Sequence, residues 1–129
     1  MQVPKTKIQN FTDLEAWKSG HELTVWIYSL TKNFPKEEVF GISNQLRRAS
    51  VSITSNLAEG FSRNSLKEKI QFYSIAKGST TEVENQLLIS RDVGFITKDT
   101  FSSIEDVVRR TNKLISGLLK STRARAENL

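Results

Sequence analysis

Between Leu14 and Leu119 the apolar residues of this chain recur at steps of three and four, in four long segments broken near Pro35, Gly60 and Gly94. That rhythm follows the 3.6-residue turn of an α-helix and gathers the apolar side chains of each segment on one face. A helix with one apolar face must bury it against another element, so the pattern calls for helices packed on helices. Two prolines and six glycines in 129 residues leave little material for a turn-rich β fold, and the length suits a single domain.

The first helix is predicted to start at Asp13 as its N-cap and to run until Pro35, because the residue before a proline is pushed out of helical geometry. It carries two stripes. Leu14, Trp17, His21, Val25 and Tyr28 form one, and Leu23, Trp26, Ile27, Leu30 and Phe34 the other, a breadth that predicts burial against more than one neighbour, within the bundle and between subunits. The second helix is expected from Ser43 to Glu59 with Gly60 in the left-handed position that ends helices, and Ile42, Leu46, Ala49, Ile53 and Leu57 as its stripe. The small residues Ser50, Ser52, Ser55, Asn56 and Ala58 beside that stripe mark it as the central, closely approached helix.

Ser65 with Glu68 three residues later has the spacing of a capping box for a third helix that Gly94 stops after Val93, an element about 40 Å long at 1.5 Å per residue. Gly78 in its middle disfavours helix, which close contact with a neighbour would offset. Thr97 or Asp99 caps the fourth helix, with Phe101, Ile104, Val108, Thr111, Ile115 and Leu118 inward and a basic tail from Lys120 expected to fray. Short connections oblige neighbours to run antiparallel, giving an all-α, up-down-up-down four-helix bundle preceded by an arm over residues 1–12 docked through Ile8 and Phe11.

Composition closes off most chemistry. Without cysteine there is no disulfide, thiolate metal site or Cys nucleophile, and a single His makes zinc sites and His-based triads implausible. A di-metal bundle centre needs a Glu-x-x-His pair on each of two helices, whereas His21 has Lys18 three residues before it. Glu82 and Glu84 lie two residues apart, about 200° around a helix, and cannot face one substrate together. Glu59 beside Asn56 could be read as a general base, but a carboxylate paired with an Arg near a helix end is the plainer reading, so no enzyme, metal, cofactor or small-molecule substrate is expected. Residues 1–7 carry no apolar leader and no segment approaches the ~18 apolar residues of a membrane span, which predicts a cytoplasmic protein with no membrane partner.

The run Gln45-Leu46-Arg47-Arg48-Ala49-Ser50-Val51-Ser52-Ile53-Thr54-Ser55-Asn56-Leu57-Ala58-Glu59-Gly60 resembles the signature of the four-helix bundle proteins encoded by intervening sequences of 23S ribosomal RNA genes. Phe11-x-x-Leu14-x-x-Trp17 and Ala76-Lys77-Gly78-Ser79, followed by Glu82 and Glu84, agree with it, and the likeness spans residues 11–119. The resemblance implies an antiparallel bundle, a homopentameric ring and a role in binding nucleic acid. The accessory protein of diversity-generating retroelements, a basic pentamer that works beside a reverse transcriptase, is similar in fold and assembly. No catalytic residues come with the resemblance. Arg47, Arg48, Asn56, Glu59, Gly60, Gly78, Ser79 and Glu82 form its signature cluster, read either as a polar network between the second and third helices, with Glu59 and Glu82 balancing Arg47 or Arg48, or as a ligand contact.

Charge supplies the candidate interface. Lys and Arg exceed Asp and Glu by 19 to 14, and residues 97–129 alone hold seven basic side chains against four acidic. Of these, Arg109, Arg110, Lys113, Lys120, Arg123 and Arg125 are placed on an exposed face that could follow a phosphate backbone, of RNA sooner than of DNA. The rival to a nucleic-acid protein is a scaffold ring that docks a partner enzyme, with the charge serving solubility and steering. A solvated face with ordinary salt bridges is the bland reading of the same residues.

Overall fold

The computed structural model describes residues 7–128, and the described residues form four α-helices with no strand. They are α1 (Glu15–Thr31), α2 (Ile42–Ser62), α3 (Leu66–Asp92) and α4 (Lys98–Glu127), with 3₁₀ turns at Phe11–Asp13 and Lys36–Glu38. Contacts run α1 to α2, α2 to α3, α3 to α4 and α4 back to α1, with none across the diagonals, so the helices stand at the corners of a square. The side-chain pairs fix their sense. Between α2 and α3, Gly60 meets Tyr73 while Ser52 meets Ser79. Between α1 and α4, Ser19 meets Thr111 and Glu22 meets Arg110. Between α3 and α4, Asn112 reaches Thr80 and Phe101 lies under Arg91. Between α1 and α2, Thr24 reaches Ser50 and Thr31 meets Arg47. In every pair residue numbers fall on one helix as they rise on the other, the antiparallel arrangement that short connections require.

Leu23 and Ile27 of α1, Leu46, Ile53 and Leu57 of α2, Val83 and Leu87 of α3, and Ile104 and Ile115 of α4 are all at most 1% exposed and make one core. The core is edged by hydroxyls. Thr31, Ser90, Thr111 and Thr122 each donate to a carbonyl one turn back in their own helix, which satisfies them without a neighbour. A second set crosses between helices: Ser19 to Thr111 at 2.6 Å, Ser52 to Ser79 at 2.9 Å, Asn112 Nδ2 to Thr80 Oγ1 at 2.6 Å, and Thr24 Oγ1 to the Ser50 carbonyl at 3.2 Å. Each side of the square therefore carries at least one hydrogen bond made by a hydroxyl.

Local signals explain three of the helix ends, and four others depart from expectation. Ser65 Oγ accepts the Glu68 N–H and Thr97 Oγ1 accepts the Thr100 N–H, so both cap as expected. After α3, Gly94 takes φ +86°, its N–H donating to the Arg91 carbonyl and that of Phe95 to the Ser90 carbonyl, a Schellman motif. Asp13, by contrast, does not cap α1. Its carboxylate accepts the Gln9 and Asn10 N–H groups at 2.9 and 3.1 Å and closes the preceding 3₁₀ turn, leaving buried Leu14 at the N-cap position. α1 also stops at Thr31, four residues short of Pro35, because the Asn33 and Phe34 N–H groups turn back to the Leu30 and Thr31 carbonyls and bring Phe34 against the Phe95 ring.

Gly60 lies inside α2 and does not end it; the helix continues to Ser62. The tail from Lys120 does not fray within the described residues. α4 stays helical to Glu127, because Thr122, 2% exposed, extends the inward stripe beyond Leu119. Of the arm over residues 1–12, residues 1–6 lie outside the described ones, while Phe11 packs edge-on to Trp17 at 5.6 Å between ring centres. No helix of the described residues is long and apolar enough to cross a membrane.

Candidate nucleic-acid interface

The six basic residues expected on one face of α4 separate into three environments. At about 100° per residue, Arg109, Lys113, Lys120 and Arg123 fall within roughly 80° of one another on the side away from the core. All four are exposed. Arg109 forms an ion pair with Glu105 one turn back, at 3.2 Å, and no ion pair among the described residues includes Lys113, Lys120 or Arg123. Arg110 points instead toward α1, pairing with Glu22 and donating to Ser19 Oγ at 3.3 Å, so it joins two helices. Arg125 turns toward the start of α3 and lines a pocket with Lys69 and Tyr73. The continuous basic stripe is therefore Arg109, Lys113, Lys120 and Arg123, with Ser116 and Gly117 as its uncharged middle.

The signature cluster is divided as well. Arg47 donates through Nε to Thr31 Oγ1 at 2.8 Å and lies 4.9 Å from the centre of the Tyr28 ring, which ties it to α1 and not to α3. Arg48 is exposed and shares a shallow surface pocket with Tyr28, Asn44, Val51 and Ser55. Neither arginine is balanced by Glu59 or Glu82: Glu59 pairs at 3.3 Å with Arg63, the residue that follows α2, and Glu82 is exposed. The α2–α3 seam holds Asn56, whose Nδ2 donates to the Ser52 carbonyl and to Ser52 Oγ, and Ser52 in turn meets Ser79.

Gly78 makes no close approach, since a Cβ built there meets nothing within 4 Å. It is Gly60 that does: a Cβ there would stand 2.6 Å from Tyr73 Cε1 and 3.0 Å from the Phe72 Cβ. His21, expected on an inward stripe, is exposed and stacked on Trp17 at 4.7 Å. Among the described residues no group of three or more His, Asp or Glu side chains could hold a metal.

One residue of consequence escaped the sequence reading. Lys69 crosses from α3 to donate to the Gly60 and Phe61 carbonyls at 3.2 and 2.7 Å, closing the end of α2. Burial lowers its pKa, and the nearby Arg125 charge lowers it further. Burial raises that of Tyr73. The available signal was the nine-residue spacing from Gly60 to Lys69 across a tight connection, which acquires meaning only once Gly60 is known to be helical.

The model of the 23S rRNA-intervening sequence protein family matches residues 12–117. The fold is similar to the crystal structure of a protein of unknown function from the S23 ribosomal protein family of Bacteroides thetaiotaomicron, with a TM-score of 0.76 and 27% sequence identity over 81% of this chain and 95% of that one. No curated protein matches the chain. The family model spans most of the sequence and the fold is similar to that of the neighbour: the chain belongs to the 23S rRNA-intervening sequence protein family.

Proposed function

We propose that this protein is a non-enzymatic, self-associating cytoplasmic bundle that binds structured nucleic acid, RNA in preference to DNA, along the outer face of α4. The observation that carries the reading is the stripe of Arg109, Lys113, Lys120 and Arg123, exposed along half of α4 with one of the four in an ion pair, Arg109 with Glu105. Long cations spaced along a rod suit a phosphate backbone, and binding driven by released counterions needs no base-reading motif. The family's name, tied to intervening sequences of 23S rRNA, favours RNA.

Self-association multiplies the effect. Exposed apolar residues on the α1 and α2 side (Val25 56%, Tyr28 41%, Val51 38%) and Phe40 at 91% in the connecting loop support contact between copies. α2 is diagonal to α4, so a ring closed through the α2 corner leaves the basic stripe outside. A pentamer, the assembly the family resemblance implies, would carry about +25 from subunits of +5.

Filter binding of a structured RNA across a salt series tests this. Attachment is expected at ~50 mM salt and should weaken linearly on a log–log plot, and replacing Lys113, Lys120 and Arg123 with Ala should flatten the slope by about two to three contacts. No detectable attachment at the lowest salt would refute the reading. The same apolar exposure favours a second reading, a scaffold ring docking a partner enzyme. A protein that co-purifies after nuclease treatment would favour it.

A further inference from the structure

We propose that the pocket formed where α2 ends and α3 begins binds a small amphiphilic carboxylate, its head held by Lys69, Arg125 and the Tyr73 hydroxyl and its hydrocarbon body laid against Leu14, Phe61 and Leu118. The pocket measures about 310 Å³, at the small end of the roughly 300–1,000 Å³ typical of small-molecule sites. Its lining holds two cations and no carboxylate.

Of the three polar groups, Lys69 is held in place by backbone carbonyls. The Lys69 ammonium is anchored on the Gly60 and Phe61 carbonyls and lies 5.3 Å from the centre of the Phe61 ring, which leaves one of its three N–H groups for a ligand. Tyr73 is 2% exposed, with its ring seated on the space that Gly60 leaves by lacking a Cβ. Tyr73 lines the pocket beside Lys69 and Arg125. Arg125 completes the set with a planar fork that matches a carboxylate.

Helix capping accounts for the cations singly. Lys69 satisfies the last carbonyls of α2, and Arg125 sits in the last turn of α4, where positive charge is favoured. It does not account for the apolar wall of Leu14, Phe61 and Leu118, nor for two like charges lining one cavity. Partial burial and the Arg125 charge both lower the Lys69 pKa, and a bound anion would offset the repulsion between the two cations. The assignment does not rest on nucleic-acid binding at α4.

Calorimetric titration of the full, nuclease-treated protein with octanoate tests it, with acetate and inorganic phosphate supplying the head alone and octanol the body alone. Octanoate is expected to bind and to raise the melting temperature, with acetate, phosphate and octanol at least about tenfold weaker. Tyr73→Phe keeps the ring on Gly60 and should weaken octanoate about tenfold, and Arg125→Gln, at an exposed position, should do at least as much. No binding of octanoate, equal binding by both variants with helicity intact, or octanol binding as well as octanoate would overturn the proposal. Displacement of octanoate by RNA would overturn it too, reassigning the pocket to a nucleic-acid phosphate.

Discussion

Gly60 and Gly78 both stand in the signature of the family, and their surroundings give them opposite weights. Gly60 is buried beneath the Tyr73 ring, whose Cε1 would lie 2.6 Å from a Cβ, and that ring is too enclosed to move aside. Gly60→Ala should therefore destabilise the fold by about 1–3 kcal/mol, the range for overpacking a full core. Gly78 is exposed in the middle of α3 with open space where a side chain would go, so Gly78→Ala should stabilise by about 0.5–1 kcal/mol through helix propensity. Urea denaturation of the two variants should shift their midpoints in opposite directions. Equal shifts would mean that the Tyr73 seat is not the tight contact described.

At the scale of elements, the 3₁₀ turn ahead of α1 is held by a titratable group. The Gln9 N–H, then the Asn10 N–H, lower the pKa of Asp13 below its ordinary 3.8. A depressed carboxylate contributes stability that is complete above 3.8 and is lost as pH falls through the lowered value. Acidification below pH 4 should thus release this turn and loosen Phe11 from Trp17, read as a change in Trp fluorescence that Asp13→Asn shows already at neutral pH. The same residue shows where sequence reading reached its limit. Asp13 was legible as a cap but not as a cap for which turn, because Gln9 and Asn10 compete for its oxygens.

Ser65, Thr97 and Gly94 were legible because their partners lie within five residues along the chain. Gly60 was not, since the absence of a Cβ serves a helix stop and a close approach equally well. The end of α4 was missed because its inward stripe continues through Thr122, a polar residue satisfied by its own helix. The pairings of Arg47 and Glu59 were out of reach for a different reason. Twelve residues apart on one helix, they point about 120° from each other, and only the neighbours decide which way matters.

For the molecule as a whole, Val25, Tyr28 and Val51 are exposed and stand outside the buried core. Light scattering should give a mass of several subunits, and replacing Tyr28 and Val51 with Glu should reduce it to that of one while helicity is kept. A parent protein already at the mass of one chain would remove the basis for self-association. Within each subunit, the four hydrogen bonds that hydroxyls make across the square have their own consequence. Every helix takes part in two of them, one toward each neighbour. Sliding a helix by one turn would keep its greasy face inward, yet break both bonds together, so near-degenerate registers that small side chains would otherwise tolerate are penalised from two directions at once.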